Sequence, residues 1–200
     1  MNWPYGGETD GWLKRPCELE ESRVTETHWT GSSAPYLESG QGDVWGKEAA
    51  AQGRTGTQRI LRAEQASAPQ EVAAHLGLTP GTPVILRQRL ISLDSRPIEL
   101  ANSYWPASFA AQTALAQKGR IRGGAVSLLA SLGYKPESVQ EYVTTRPPTR
   151  EEAEALQLAD NHEWILCLTR VISSGGHPYE VSVMVSPGRI GRLHYSMKAH

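Results

Sequence analysis

Two stretches of this chain follow the same plan, and that duplication limits what it can fold into more than any other feature. Glu71-Val-Ala-Ala-His-Leu-Gly-Leu78 aligns with Glu151-Glu-Ala-Glu-Ala-Leu-Gln-Leu158 at a spacing of 80. After a one-residue insertion near Asn161, Arg89 aligns with Arg170, Pro97 with Pro178 and Glu99 with Glu180, all at a spacing of 81. Each unit reads as helix, turn, apolar strand, hairpin, strand. Two copies are too few for a solenoid, which needs three or more units. A duplicated helix plus hairpin instead implies one pseudo-symmetric antiparallel sheet with helices on one face, an α+β domain.

The flanking sequence extends that plan. Lys47 to Gln52 suit a short helix that stops at Gly53, and Thr57 to Ala63 have strand character. Ala68-Pro69 opens a helix through His75 that Gly77 ends, with Val72, Ala73 and Leu76 on its apolar face. Val84 to Leu93 alternates as a strand, Asp94-Ser95-Arg96-Pro97 turns the chain, and Ile98 to Trp105 returns to Pro106. Ala125 to Leu132, closed by Gly133, reads as an amphipathic helix, and Val139 to Thr145 as a strand. The hairpins and the two outer strands give a sheet of about six, to which Leu193 to Met197 adds an edge.

Composition narrows the partners. Two hundred residues, 39% of them hydrophobic, bury one substantial core. A net charge of −1 gives no global attraction for nucleic acid or anionic membranes. No apolar run approaches the roughly 18 residues of a membrane span, and Met1 to Glu20 lacks a signal-peptide core, so the expected location is the cytoplasm. Cys17 and Cys167 are far apart and in unlike surroundings, which points to free thiols rather than a disulfide framework. Residues 1–44 are polar, acidic and without periodicity, and read as a leader with little structure of its own, although Trp3, Trp12 and Trp29 call for a surface to cover. The main domain is expected over 45–200.

The segment APQEVAAHLGLTPGTPVILRQRLISLDSRPIELANSYWP, the helix RIRGGAVSLLASLGY and the closing HPYEVSVMVSPGRIGRLHYSM together resemble the UTRA domain of GntR-type transcription regulators of the HutC subgroup, over about residues 45 to 197. The resemblance implies a chorismate lyase-like fold, a cleft for a small-molecule effector, and a regulator that works as a homodimer, or as a mixed dimer with a full-length regulator. In that family a winged helix-turn-helix reads DNA. Only 44 residues precede Trp45, with Lys14, Arg15 and Arg23 set against eight acidic residues, so DNA contact is expected through a head that is missing or on another chain.

Candidate site residues follow from both readings. Arg87 and Arg89 lie two apart on a strand and so share a face, where guanidinium groups partly removed from water bind carboxylate or phosphate. The resemblance assigns arginines of this strand to the effector cleft; pairing with Glu99 or Asp94 across the hairpin is the structural alternative. Glu99 is expected to orient the arginines or accept ligand hydroxyls, with structural pairing as the alternative, and its repeat mate Glu180 resembles a family position that contacts effector. By resemblance, Trp45 falls in a loop over the cleft, its indole either stacking on a ligand or packing in the core, with Gly46 where a small hydroxyl residue is common. Gly124 and Val126 stand where sugar-phosphate-sensing members carry Ser and Tyr, and Ser186 replaces an aromatic residue, which argues against a sugar phosphate. Gly123-Gly124 before a helix could present N–H groups to an anion, with Arg120 and Arg122 beside it, yet lacks the Lys-Ser/Thr of a phosphate loop.

Enzyme templates are absent: there is no G-x-S-x-G elbow, no H-E-x-x-H, and no metal-ligand spacing among the histidines, His162, His177 and His194 included. No cofactor and no metal are expected. The alternative to a sensor is a chorismate lyase-like small-molecule enzyme, since fold does not fix function.

Overall fold

The computed structural model describes residues 29–31, 44–158 and 163–195. Its elements are β1 (Trp29–Gly31), α1 (Val44–Ala51), β2 (Gly56–Ser67), α2 (Gln70–Leu76), β3 (Pro83–Leu93), β4 (Arg96–Pro106), α3 (Ala107–Ala110), a 3-10 turn (Ala114–Ala116), α4 (Gly124–Ser131), β5 (Ser138–Arg146), α5 (Arg150–Leu156), β6 (Ile165–Ser174), β7 (His177–Pro187) and β8 (Gly191–Leu193). Six strands form one antiparallel sheet in the order β2-β3-β4-β7-β6-β5. The α+β class and the strand number match the reading from the duplication.

The order is symmetric about the β4–β7 junction, where Asn102 faces Val183, its own repeat equivalent. Even an irregularity is duplicated: the β3–β4 ladder slips between Ile91 and Ser92, and the β6–β7 ladder between Ile172 and Ser173. Both hairpins turn on two residues of positive φ, Asp94-Ser95 and Gly175-Gly176, the conformation whose twist matches that of the flanking strands. Asp94 tolerates this backbone because its carboxylate accepts hydrogen bonds from Arg54 Nε and the Thr55 N–H, both at 2.8 Å.

The repeat helices lie on one face. From α2, Val72, Ala73 and Leu76 pack on Val84, Leu86, Tyr104, Val171 and Val181; from α5, Leu156 packs among Leu90, Leu100, Ile165, Cys167 and Val185. Their ends are made differently. Gly77, with a φ of 67°, closes α2, whereas α5 opens with a capping box in which Thr149 and Glu152 each satisfy the other's backbone N–H. Cys167 is a buried free thiol.

Two expectations need correction. Helices cover the opposite face as well: α3, the 3-10 turn and α4 pack on Ile85, Trp105, Ile172 and Tyr179, while α1 packs through Trp45 and Ala49 on Ile91, Leu93, Ile98 and Ile190. The duplication specifies only its own two helices, and the strands are apolar on both sides. Nor does the C-terminal segment add an edge to the main sheet: β8 pairs in parallel with β1, apart from it. Met197, Cys17, Trp3, Trp12 and His162 lie outside the described residues, as does the Trp29 side chain.

Candidate functional site

Alternation along the strands sends Arg87 and Arg89 of β3 to the face covered by α1 and α4. Register then places Glu99 and Ser103 of β4, Glu180, Ser182 and Ser186 of β7, and Arg170 of β6 on that same face. These residues form a polar seam between two apolar blocks, one built on α1 and the other on α3 and α4. Except for Arg89, which is half-buried, all of them are buried. Burying charge is unfavourable unless each group finds a partner, so the partners show what each residue is for.

Arg87 is an anchor for the chain. Its Nη1 donates to the Gln117 carbonyl at 2.5 Å and, at 3.4 Å each, to those of Ala114 and Leu115, and its Nη2 to that of Gly119 at 2.6 Å. Burial first, then the neighbouring Arg89, hold its guanidinium below its ordinary pKa. Two of the carbonyls belong to the 3-10 turn and two to the segment after it, which no regular ladder fixes.

A directed chain of hydrogen bonds crosses the centre of the sheet. Arg89 Nη2 donates to Ser103 Oγ at 3.4 Å, the two serine hydroxyls meet at 2.8 Å, and Ser182 Oγ donates to Glu180 Oε1 at 3.0 Å. Trp105 Nε1 closes the far end with a 2.9 Å bond to Glu180 Oε2. With Ser182 donating to the carboxylate, Ser103 must donate to Ser182. The Arg87 and Arg89 pairing with Asp94 or Glu99 that the hairpin allows is not made among the described residues: Asp94 is taken by Arg54, and the arginines bond elsewhere.

Glu99 lies at the α1 end, 9% exposed. Burial pushes its carboxyl up to about 7, against the lowering pull of Arg89 and Arg170. Arg170 is 7% exposed; its Nη2 comes no closer than 3.9 Å to Glu180 Oε1, and its Nε is sealed without an acceptor.

The other sequence-derived candidates are placed differently. Trp45 sits inside α1 rather than in a loop; it is buried, and its Nε1 donates to the Ser92 carbonyl at 3.1 Å. Its indole fits against Gly56 so closely that a Cβ there would stand 2.7 Å from Nε1. Gly46 follows it within the same helix. Gly124 starts α4, but its N–H is spent on the Ile121 carbonyl at 3.0 Å, and Val126 is half-buried in the same helix. Three of the seam's residues, Arg170, Ser103 and Ser182, and its neighbour Trp105 were not among the candidates. The 81-residue spacing that pairs Arg89 with Arg170 carried the signal for the arginine; the serines have no motif, and only register brings them together.

Among the described residues no group of three or more His, Cys, Asp or Glu could hold a metal ion, and no helix is long and apolar enough to cross a membrane. His177 and His194 are exposed.

The UTRA domain family model matches residues 51–190. An uncharacterized HTH-type transcriptional regulator of Streptomyces coelicolor is 30% identical over 146 residues, 71% of this chain and 53% of that protein, so the chain spans about half the length of this relative. Among solved structures, the effector domain of PhnF from Mycobacterium smegmatis superposes with a TM-score of 0.64 at 21% identity, covering 78% of this chain and 94% of that one. A GntR-family transcriptional regulator superposes with a TM-score of 0.66 at 25% identity, covering 76% and 62%. The C-terminal domain of the histidine utilization repressor from Pseudomonas syringae pv. tomato gives 0.58 at 19% identity, covering 72% and 99%.

Proposed function

The chain belongs to the UTRA domain family, and on that premise we propose that it is the ligand-sensing and dimerising part of a GntR-type regulator of the HutC kind. In this reading it binds a small effector without converting it, and meets DNA only through a winged helix-turn-helix carried elsewhere in the regulator.

The observation that carries the reading is the buried polar seam. A sheet face covered by helices is ordinarily apolar, and Arg89, Arg170, Glu99 and Glu180 at its centre are more charge than a core needs. Arg89, Glu99, Glu180 and Ser186 are the effector-facing candidates that this arrangement favours; Trp45, Gly46, Gly124 and Val126 frame them through α1 and α4, and Arg87 holds the wall formed by residues 114–119. A duplicated carboxylate-and-arginine set suits selective capture of a polar molecule.

A thermal-shift screen against a broad set of cytosolic metabolites tests this. A ligand at 100 times its dissociation constant adds about 2.7 kcal/mol, or roughly 5–10 °C for a domain of this size. A screen without any stabilising metabolite overturns the sensing function. Light scattering at micromolar concentration tests dimerisation, with a strictly monomeric mass counting against it.

A further inference from the structure

The two halves of the domain carry the same four charges, yet they use them unequally. Arg89 of the first half and Glu180 of the second are joined through Ser103 and Ser182, and Glu180 also receives the Trp105 indole. Their repeat mates are left over. Among the described residues Glu99 accepts no hydrogen bond, and Arg170 donates none, its nearest carboxylate oxygen being 3.9 Å away.

Sequence explains the inequality. The repeat equivalent of Trp105, 81 residues on, is Ser186, and that of Ser182 is Ala101. Glu99 has therefore lost both of the donors that Glu180 keeps: a serine hydroxyl is too short to stand in for an indole, and alanine has no donor. Replacement of two donors around a retained, 91% buried carboxylate leaves an acceptor that no described residue satisfies and that is open to solvent or a ligand. Arg170 is the complementary case, a retained guanidinium 93% buried whose Nε has no acceptor and whose Nη2 reaches Glu180 only as a 3.9 Å ion pair.

We infer that the effector is a compact zwitterion that spans the β4–β7 junction, its ammonium or other cationic N–H group on Glu99 and its carboxylate on the Arg170 guanidinium. This rests on the sensing function proposed above and names the ligand class. Glu99 and Arg170 lie on strands separated by one other, about 10 Å across the sheet, and four residues, about 13 Å, apart along it; their long side chains close part of that distance, and each charge still acts on the other.

The test uses the whole chain and matched probes: 4-aminobutyrate, 5-aminovalerate and 6-aminohexanoate, the corresponding alkylamines and alkanoates, and glucosamine 6-phosphate, each by thermal shift and then calorimetry. Expected is a length optimum among the amino acids, with the matched amine and alkanoate binding at least 30-fold more weakly. Glu99→Gln should bring the best amino acid down to the affinity of its alkanoate, and Arg170→Lys down to that of its amine, while Glu180→Gln alters the affinity less than Glu99→Gln. The inference is overturned if an alkanoate or alkylamine alone binds as well as the amino acid, or if Glu99→Gln leaves the affinity unchanged. Should the amino acids give nothing while glucosamine 6-phosphate or another metabolite binds through Arg89, the zwitterion is wrong and the sensing function stands. If nothing binds in either screen, both fall.

Discussion

Arg87→Met separates an arginine that holds the chain from one that holds a ligand. Two of its bonds, to the carbonyls of Gln117 at 2.5 Å and Gly119 at 2.6 Å, are short and charge-assisted; the two at 3.4 Å add little. A hydrogen bond to a charged group contributes about 1.5–3 kcal/mol, so the two short ones amount to roughly 3–6 kcal/mol. Removing a buried charge returns part of this, because its desolvation, which already lowers the Arg87 pKa, is no longer incurred. A net loss of about 2–4 kcal/mol remains. At roughly 2–4 °C per kcal/mol for a domain of this size, that lowers Tm by about 4–16 °C. Methionine keeps the length and packing of the side chain, so the loss reports the donors. Urea unfolding followed by tryptophan fluorescence gives the free energy, and hydrogen exchange at 114–119 should show local opening in the variant while β6 and β7 stay protected. A variant within 0.5 kcal/mol of the parent, or with unchanged exchange at those residues, would refute the anchoring role.

Glu99 gives a pH signature with a definite sign. Its carboxyl, raised from 4.5 to about 7 in the folded protein, binds a proton more tightly folded than unfolded. Its contribution to stability is therefore intact below about pH 4.5, declines as pH rises to about 7, and is constant above that. Over this window the stability of the ligand-free protein relative to Glu99→Gln should fall by about 3 kcal/mol, at 1.36 kcal/mol per pK unit; parallel pH profiles for the two proteins would contradict the burial of this carboxyl. At the α1 docking site, Gly56→Ala sets a methyl 2.7 Å from Trp45 Nε1 and 2.8 Å from Ala49 Cβ. Overpacking of this kind costs about 1–3 kcal/mol, and a neutral result by thermal denaturation would show that α1 yields without penalty.

How much of this was legible beforehand depends on whether a feature is local or made by register. The duplication gave the strands, the hairpins and the two helices α2 and α5, because each is encoded by contiguous periodicity and turn chemistry. It also gave the shared face of Arg87 and Arg89, which needs only the two-residue alternation of a strand. Arg87's bonds were hidden, since residues 114–119 have no signature linking them to β3. The resemblance sets Trp45 in a loop over the cleft, stacking on a ligand or packing in the core; it lies instead in helical Val44–Ala51, which packs its indole against Gly56 and the Ser92 carbonyl. The Ser103–Ser182 pair arises where β4 meets β7, a contact 79 residues long-range that no window of sequence contains.

That meeting of β4 and β7 is also the joint of the molecule. Each half, β2 to β4 and β5 to β7, is a run of neighbouring antiparallel strands contiguous in sequence, whereas the ladder between the halves runs only from Leu100 to Tyr104 against Val181 to Val185. A molecule gripped by a side chain from each half would act as a staple across the shortest inner ladder of the sheet. Its binding energy could bias the angle between the halves wherever the two settings hold it unequally, turning occupancy of a buried seam into a change of shape at the outer strands.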